Sequence, residues 1–226
     1  MAPWFHPTVA LALLSAVAVH AQHKVLYPEP FYLVDGDEAQ SAPVAHLEEQ
    51  GIKTSADVSD FMKQKGYANL RAMLDDQKLY NVNPDALDEC GYTDPTVESQ
   101  PIPVTNAFIS TGYVLNGPCE VWLDDLKVMS DMNCHTKYPG TNFMLDYSSC
   151  KGSCMLRWYW LGIQPVNETY SWQVYKVCVS LRGNGVQSSE TPTPIAVASA
   201  TPTTAEAPGK GKAAKSDWGW LELFWS

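Results

Sequence analysis

Hydrophobic and polar positions divide the chain into four stretches. An unbroken apolar run, Val9 to Val19, leads into His20-Ala21-Gln22. It is well short of the ~20 residues needed to cross a bilayer, and it predicts a secretory signal peptide over residues 1–22. Residues 23–35 (HKVLYPEPFYLVD) read as a first strand broken by Pro28 and Pro30, which suits an edge or a loop. Residues 41–80 are the one plausibly helical part. Ser55-Ala56-Asp57 can cap a helix running to about Lys65, and Asn69 to Leu74 another turn or two. From Gly91 onward the pattern changes to short β-like runs punctuated by Gly, Pro, Asp and Asn. They are Phe108–Leu115, Cys119–Leu123, Lys127–Met132, Met155–Leu161 and Tyr170–Ser180. These runs predict a mostly β domain over residues 23–182, an antiparallel immunoglobulin-like β-sandwich with long loops and short helices. Residues 183–217, rich in Ser, Thr, Pro and Ala, cannot form a core and read as a disordered linker. Residues 218–226 form an aromatic tail carrying Trp218, Trp220, Phe224 and Trp225. It could fold back on the domain, or stack on a sugar or a partner.

Composition narrows the partners. The chain has 15 Lys and Arg against 25 Asp and Glu, a net charge of −10. That balance argues against nucleic acid and against anionic membrane surfaces. All six cysteines (Cys90, Cys119, Cys134, Cys150, Cys154 and Cys178) follow the signal region. In a secreted chain an even count reads as three disulfides that staple the fold. The C-x3-C of Cys150 and Cys154 also raises a zinc site, but no His stands near it and the compartment is oxidising. Asn167-Glu168-Thr169 is an N-glycosylation sequon. A secreted, extracellular monomer is expected.

The cleavage point carries chemistry. Cutting after Gln22 makes His23 the first residue. Its free α-amine and its imidazole Nδ1 can then chelate one copper ion, because amine and imidazole nitrogens suit Cu(II). Cutting after Ala21 leaves Gln22 first, which can cyclise and would abolish the chelate.

The strongest internal motif is Trp172-Gln173-Val174-Tyr175-Lys176-Val177-Cys178. In a strand Gln173 and Tyr175 point to the same face, with Cys178 beyond them. Q-x-Y-x-x-C near the end of a β-sandwich resembles the signature of lytic polysaccharide monooxygenases. Three more stretches resemble the oomycete branch active on pectin, auxiliary activity family seventeen. They are Leu70 to Asp75 (LRAMLD), Gly117 to Asp125 (GPCEVWLDD), and Asp146 to Cys154 (DYSSCKGSC) with the following Arg157 to Leu161 (RWYWL). The resemblance spans roughly residues 23–180. It implies a copper cofactor, cleavage of cell-wall polysaccharide, with pectic homogalacturonan as substrate, and an external electron donor. It also implies Tyr175 as axial neighbour of the copper and Gln173 as its hydrogen-bonding companion.

One position departs from the family. The resemblance implies a second copper-binding His two residues before Gly117, where this chain has Leu115. Leucine cannot bind copper, and Asn116 is a poor substitute. Of the remaining histidines, His46 reads as a surface residue. His135 could relocate the ligand if Val121–Asp124 and Lys127–Ser130 form a hairpin around Asp125-Leu126. Asn116 would then face His135, Leu115 would face Thr136, and Cys119 would lie near Cys134. The alternative is that His135 is an ordinary loop residue. The disulfide pairing expected is Cys119–Cys134, Cys150–Cys154 and Cys90–Cys178. A catalytically silent relative that binds carbohydrate or a host partner is the rival to an enzyme.

Overall fold

The computed structural model describes residues 23–47, 53–166 and 169–183. The expected signal peptide, the linker and aromatic tail beyond Gly183, and the sequon residue Asn167 lie outside them. In chain order the elements are β1 (Val25–Tyr27), α1 (Asp37–Ser41), β2 (Ala45–Leu47), α2 (Ser55–Lys65), α3 (Leu70–Leu74), β3 (Gln100–Pro101), β4 (Ala107–Ser110), β5 (Cys119–Leu123), β6 (Leu126–Asp131), α4 (Cys134–Lys137), β7 (Asn142–Met144), β8 (Ser153–Val166) and β9 (Thr169–Arg182). Among these residues no helix is long and apolar enough to cross a membrane.

The fold is a mostly β sandwich, as the pattern predicted. One sheet has the order β1-β4-β7 and the other β2-β9-β8-β5-β6, with every pairing in both antiparallel; only the short β3 pairs with β9 in parallel. The long hairpin β8–β9 is the spine. Its alternate residues serve two different cores. Leu156, Trp158 and Trp160 with Tyr175, Val177, Val179 and Leu181 face the smaller sheet and meet Val25 and Phe108. The residues between them, Tyr159, Leu161, Ile163, Trp172 and Val174, face Val58 and Phe61 of α2 and Leu70 and Met73 of α3. A sheet covered on both faces buries successive residues, and β5 is buried throughout, the charged Glu120 included.

Helices α2 and α3 begin on local signals. Thr54, one residue before the expected start, caps α2 and forms a capping box with Asp57. Gly66 closes α2 in the left-handed conformation. The Asn69 side chain accepts from the Ala72 N–H at 2.7 Å and starts α3. Two expectations are corrected. The 41–80 stretch contains a strand, β2, and two short helices, α1 and α4, lie outside it. Three-residue β2 is held by its ladder to β9, a long-range pairing that leaves no periodic trace in the sequence. The first strand is only Val25–Tyr27; beyond Pro28 and Pro30 the chain returns for a single bridge, Tyr32 to Thr93.

Two of the quoted motifs meet in one polar network on the helical face of the sheet. Glu120 accepts from the Arg71 N–H, from Trp122 Nε1 and from Lys127 Nζ, each at 3.0 Å. Arg71 in turn donates to the Asp124 carbonyl at 2.9 Å and lies over the Trp122 ring. These residues dock α3 onto β5, so their spacing in the motifs reflects packing. The disulfides are Cys90–Cys178, Cys119–Cys134 and Cys150–Cys154, the pairing expected. On its outer side β9 is covered piecewise: β2 pairs with 172–174, Gly91 bridges Val177, Thr93 Oγ1 accepts from the Cys178 N–H, and β3 pairs with 181–182.

The β5–β6 hairpin turns at Asp124-Asp125, not at Asp125-Leu126. Leu123 pairs with Leu126, and after a bulge beyond Trp122 the register pairs Cys119 with Asp131. Asp124 takes a φ of 51°, the left-handed geometry of a two-residue hairpin turn. Placing the turn one residue earlier shifts the register by two and the bulge restores only one, so Asn116 does not face His135; it bridges Ile163 and accepts from Asn133 Nδ2. Gly117 sits at this crossing with φ 145°, and a Cβ there would lie 1.8 Å from the Leu161 carbonyl oxygen. Gly117→Ala is expected to cost about 4 kcal/mol or more, at the top of the range for single substitutions. The shift of its denaturant midpoint would measure that cost.

Candidate functional site

β9 brings the Gln173 and Tyr175 side chains together on the sandwich face. The Tyr175 hydroxyl donates to Gln173 Oε1 at 2.5 Å. His23, just before β1, meets them. Its ring lies 5.3 Å from the Tyr175 ring and 3.9 Å, edge-on, from the Trp160 ring, while Trp160 stacks on Tyr175 at 4.8 Å. The His23 backbone N–H donates to the Ser41 carbonyl at 3.1 Å, which fixes the start of β1 against α1. The site is therefore a corner built by the N-terminal segment, β8 and β9.

The polar groups in this corner are unusual. His23 is 2 % exposed, yet neither imidazole nitrogen has a hydrogen-bond partner among the described residues, and the adjacent Trp160 Nε1 has none either. Buried nitrogens without partners are rare in native folds and point to a missing water or ion. Burial lowers the His23 pKa from 6.5 to about 4, opposed by the Gly112 backbone, which lies close without closing a hydrogen bond of good geometry. A neutral imidazole is the form that binds a metal. Burial raises the Tyr175 phenol above its ordinary range, so it stays protonated.

Leu115 lies in the same wall. Its Cδ1 stands 3.0 Å, and the Trp160 ring 3.1 Å, from where a Cβ on Gly162 would be. The place where a second imidazole was expected is filled by an apolar side chain. His135 is exposed on α4, where its Nδ1 donates to the Tyr113 carbonyl at 2.5 Å. Its connection to His23 runs through Tyr113 and Trp160. His46 is exposed, as its sequence reading expected. It sits on β2 directly across from Gln173, with Nδ1 3.1 Å from Ser171 Oγ, so it borders the site. Among the described residues no group of three or more His, Cys, Asp or Glu could hold a metal ion.

Sequence reasoning missed two members of the site. Trp160 belongs to the Arg157–Leu161 motif; alternation puts it on one face with Trp158, and the β8–β9 register makes that the Tyr175 face. Gln164 accepts from Gln173 Nε2 at 2.5 Å, and only the β8–β9 register reveals that contact. Compared with protein-family models and with curated proteins, the chain finds no match.

Proposed function

We propose that the mature chain is a secreted copper protein that oxidises plant cell-wall polysaccharide. Its N-terminal His23 would provide amine and imidazole nitrogens to hold the ion, with Tyr175 beside the His23 ring. The observation that carries this reading is the buried imidazole of His23, neutral and without a partner, set against Tyr175 and Trp160. Three disulfides suit the oxidising compartment that the signal peptide implies. The residues fit copper as a two-nitrogen site, and His23 alone would hold it.

Bound copper would supply the redox chemistry, with electrons from an external donor. The chain's own groups do the rest. Trp160 holds the His23 ring edge-on and keeps water from one side of it. Tyr175 keeps its proton and directs it to Gln173, so the group beside His23 is a neutral phenol. Pectic homogalacturonan is the substrate that the family resemblance suggests.

Leu115 favours a second reading, in which the protein keeps the sandwich and the chelate but binds polysaccharide without turnover. Copper titration of protein beginning at His23, followed by spin resonance, tests the shared part. We expect one ion, nitrogen ligation from His23 and no change on His135→Ala. A nitrogen signal that His135→Ala alters would return the third ligand to that residue. Absence of binding would sink both readings. Incubation with pectin and a reductant then separates them: oxidised oligosaccharides support the oxidase, and their absence supports the binding protein.

A further inference from the structure

Beyond Tyr175 the hydrogen bonds continue outward. Tyr175 donates to Gln173 Oε1, and Gln173 Nε2 donates to Gln164 Oε1, each at 2.5 Å. Gln173 is nearly buried and Gln164 half-buried. The β8–β9 register pairs Gly162 with Gln173 and Gln164 with Ser171. Gln164 therefore sits one step further out on the face that carries Trp160 and Tyr175. Gly162, directly across from Gln173, has no side chain to compete for its amide.

A primary amide offers an oxygen at one end and an NH2 at the other, and its neighbours decide which way it turns. A tyrosine hydroxyl can donate or accept, so Tyr175 alone does not choose. Gln164 presents its oxygen to the Gln173 NH2, which draws that NH2 outward and leaves the Gln173 oxygen facing Tyr175. We propose that Gln164 is a positioning residue. It sets the orientation of the Gln173 amide, and this commits the Tyr175 hydroxyl proton to Gln173 and not to a group bound at His23. Its functional meaning rests on the copper reading above, but the orientation itself belongs to the protein without metal.

The test compares Gln164→Glu with Gln164→Leu in protein beginning at His23. The first readout is proton exchange of the Gln173 side-chain amide by nuclear magnetic resonance, without metal. Glutamate is an obligate acceptor and is expected to keep the wild-type exchange rate. Leucine accepts nothing and is expected to speed exchange roughly 2–10-fold, the worth of one hydrogen bond. The second readout is the copper spin-resonance signal, which should change with leucine and be restored with glutamate. Unchanged Gln173 exchange in the leucine variant overturns the proposal, as does a glutamate variant that behaves like leucine. A copper signal indifferent to leucine overturns the link to the site. If copper fails to bind the wild type, the copper reading falls on its own, and the metal-free exchange still decides the role of Gln164.

Discussion

Trp160→Ala is expected to lower the unfolding free energy by about 3–5 kcal/mol, the usual cost of truncating a fully buried large aromatic. Trp160 is 0 % exposed. Its ring stacks on Tyr175, meets His23 edge-on, and contacts Tyr113 at 5.7 Å and Trp158 at 6.3 Å between centroids. Alanine would leave a cavity bordered by four aromatic rings that are themselves anchored, so collapse could recover little. Trp158, for example, is tied to the Tyr113 hydroxyl at 2.9 Å. Trp160→Phe should cost far less, about 1–2 kcal/mol, because Nε1 has no hydrogen bond to lose and only packing changes. The two variants also separate stability from site geometry. If Trp160 holds the His23 ring in place, alanine should weaken copper binding roughly 10–100-fold, as losing an outer-shell support does. Phenylalanine should restore most of it. Denaturant unfolding of the metal-free protein and copper titration would measure the two effects. A weak alanine effect on both would mean that the corner is held by the backbone alone.

The second large effect lies on the other face of β9. The Lys176 side chain is 1 % exposed, with Nζ 3.1 Å from Asp75 Oδ1. It also donates to the Asp88 carbonyl and lies over the Tyr80 and Tyr159 rings. Burial pulls the Lys176 pKa below 10.5, and Asp75 is the largest of the groups that oppose this. Asp75→Ala therefore leaves a buried cation without its carboxylate, and should cost about 3–5 kcal/mol. The same substitution removes the acceptor of the Tyr159 hydroxyl, bonded at 3.0 Å, and a partner of Arg71 at 3.7 Å. The sign of its pH dependence follows from linkage. Between the lowered pKa of folded Lys176 and 10.5, the unfolded chain holds a proton that the native one has released. Stability then rises with pH, and losing Asp75 widens that window downward. The deficit of the variant should shrink as pH rises toward 10.5. A deficit that stays constant would show that Lys176 remains charged and finds another partner. Replacing both residues, Lys176→Met with Asp75→Leu, should recover much of the loss.

Much of the architecture was legible in the sequence because it rests on local chemistry. Short β-like runs, the Asn69 cap and the start of α2 are written within a few residues, and β5 emerged with its expected bounds. The half of the site on β9 was legible for the same reason, since residues two apart on a strand share a face. Register was not legible. The β5–β6 turn falls one residue earlier than the pattern suggested and a bulge restores only part of that shift, so Asn116 and His135 are not the cross-strand pair expected. Nor was His46, whose place opposite Gln173 depends on a three-residue ladder across 127 positions of chain, 173 − 46. The double duty of β8 and β9 was hidden as well. A strand buried on both faces loses its polar alternation, so the pattern could not say which tryptophan faced which core.

The piecewise covering of β9 has a consequence for how the protein behaves at high concentration. A long strand with an open side is a ready template for another chain to extend the sheet, the first step of ordered aggregation. Here β2, the Gly91–Thr93 segment and β3 each occupy part of that side, and the Cys90–Cys178 bond fastens the middle piece. Short, separate segments leave no continuous row of free backbone groups for an incoming strand. Reducing that bond would free the middle segment to lift away, so self-association should rise on reduction before the rest of the sandwich unfolds.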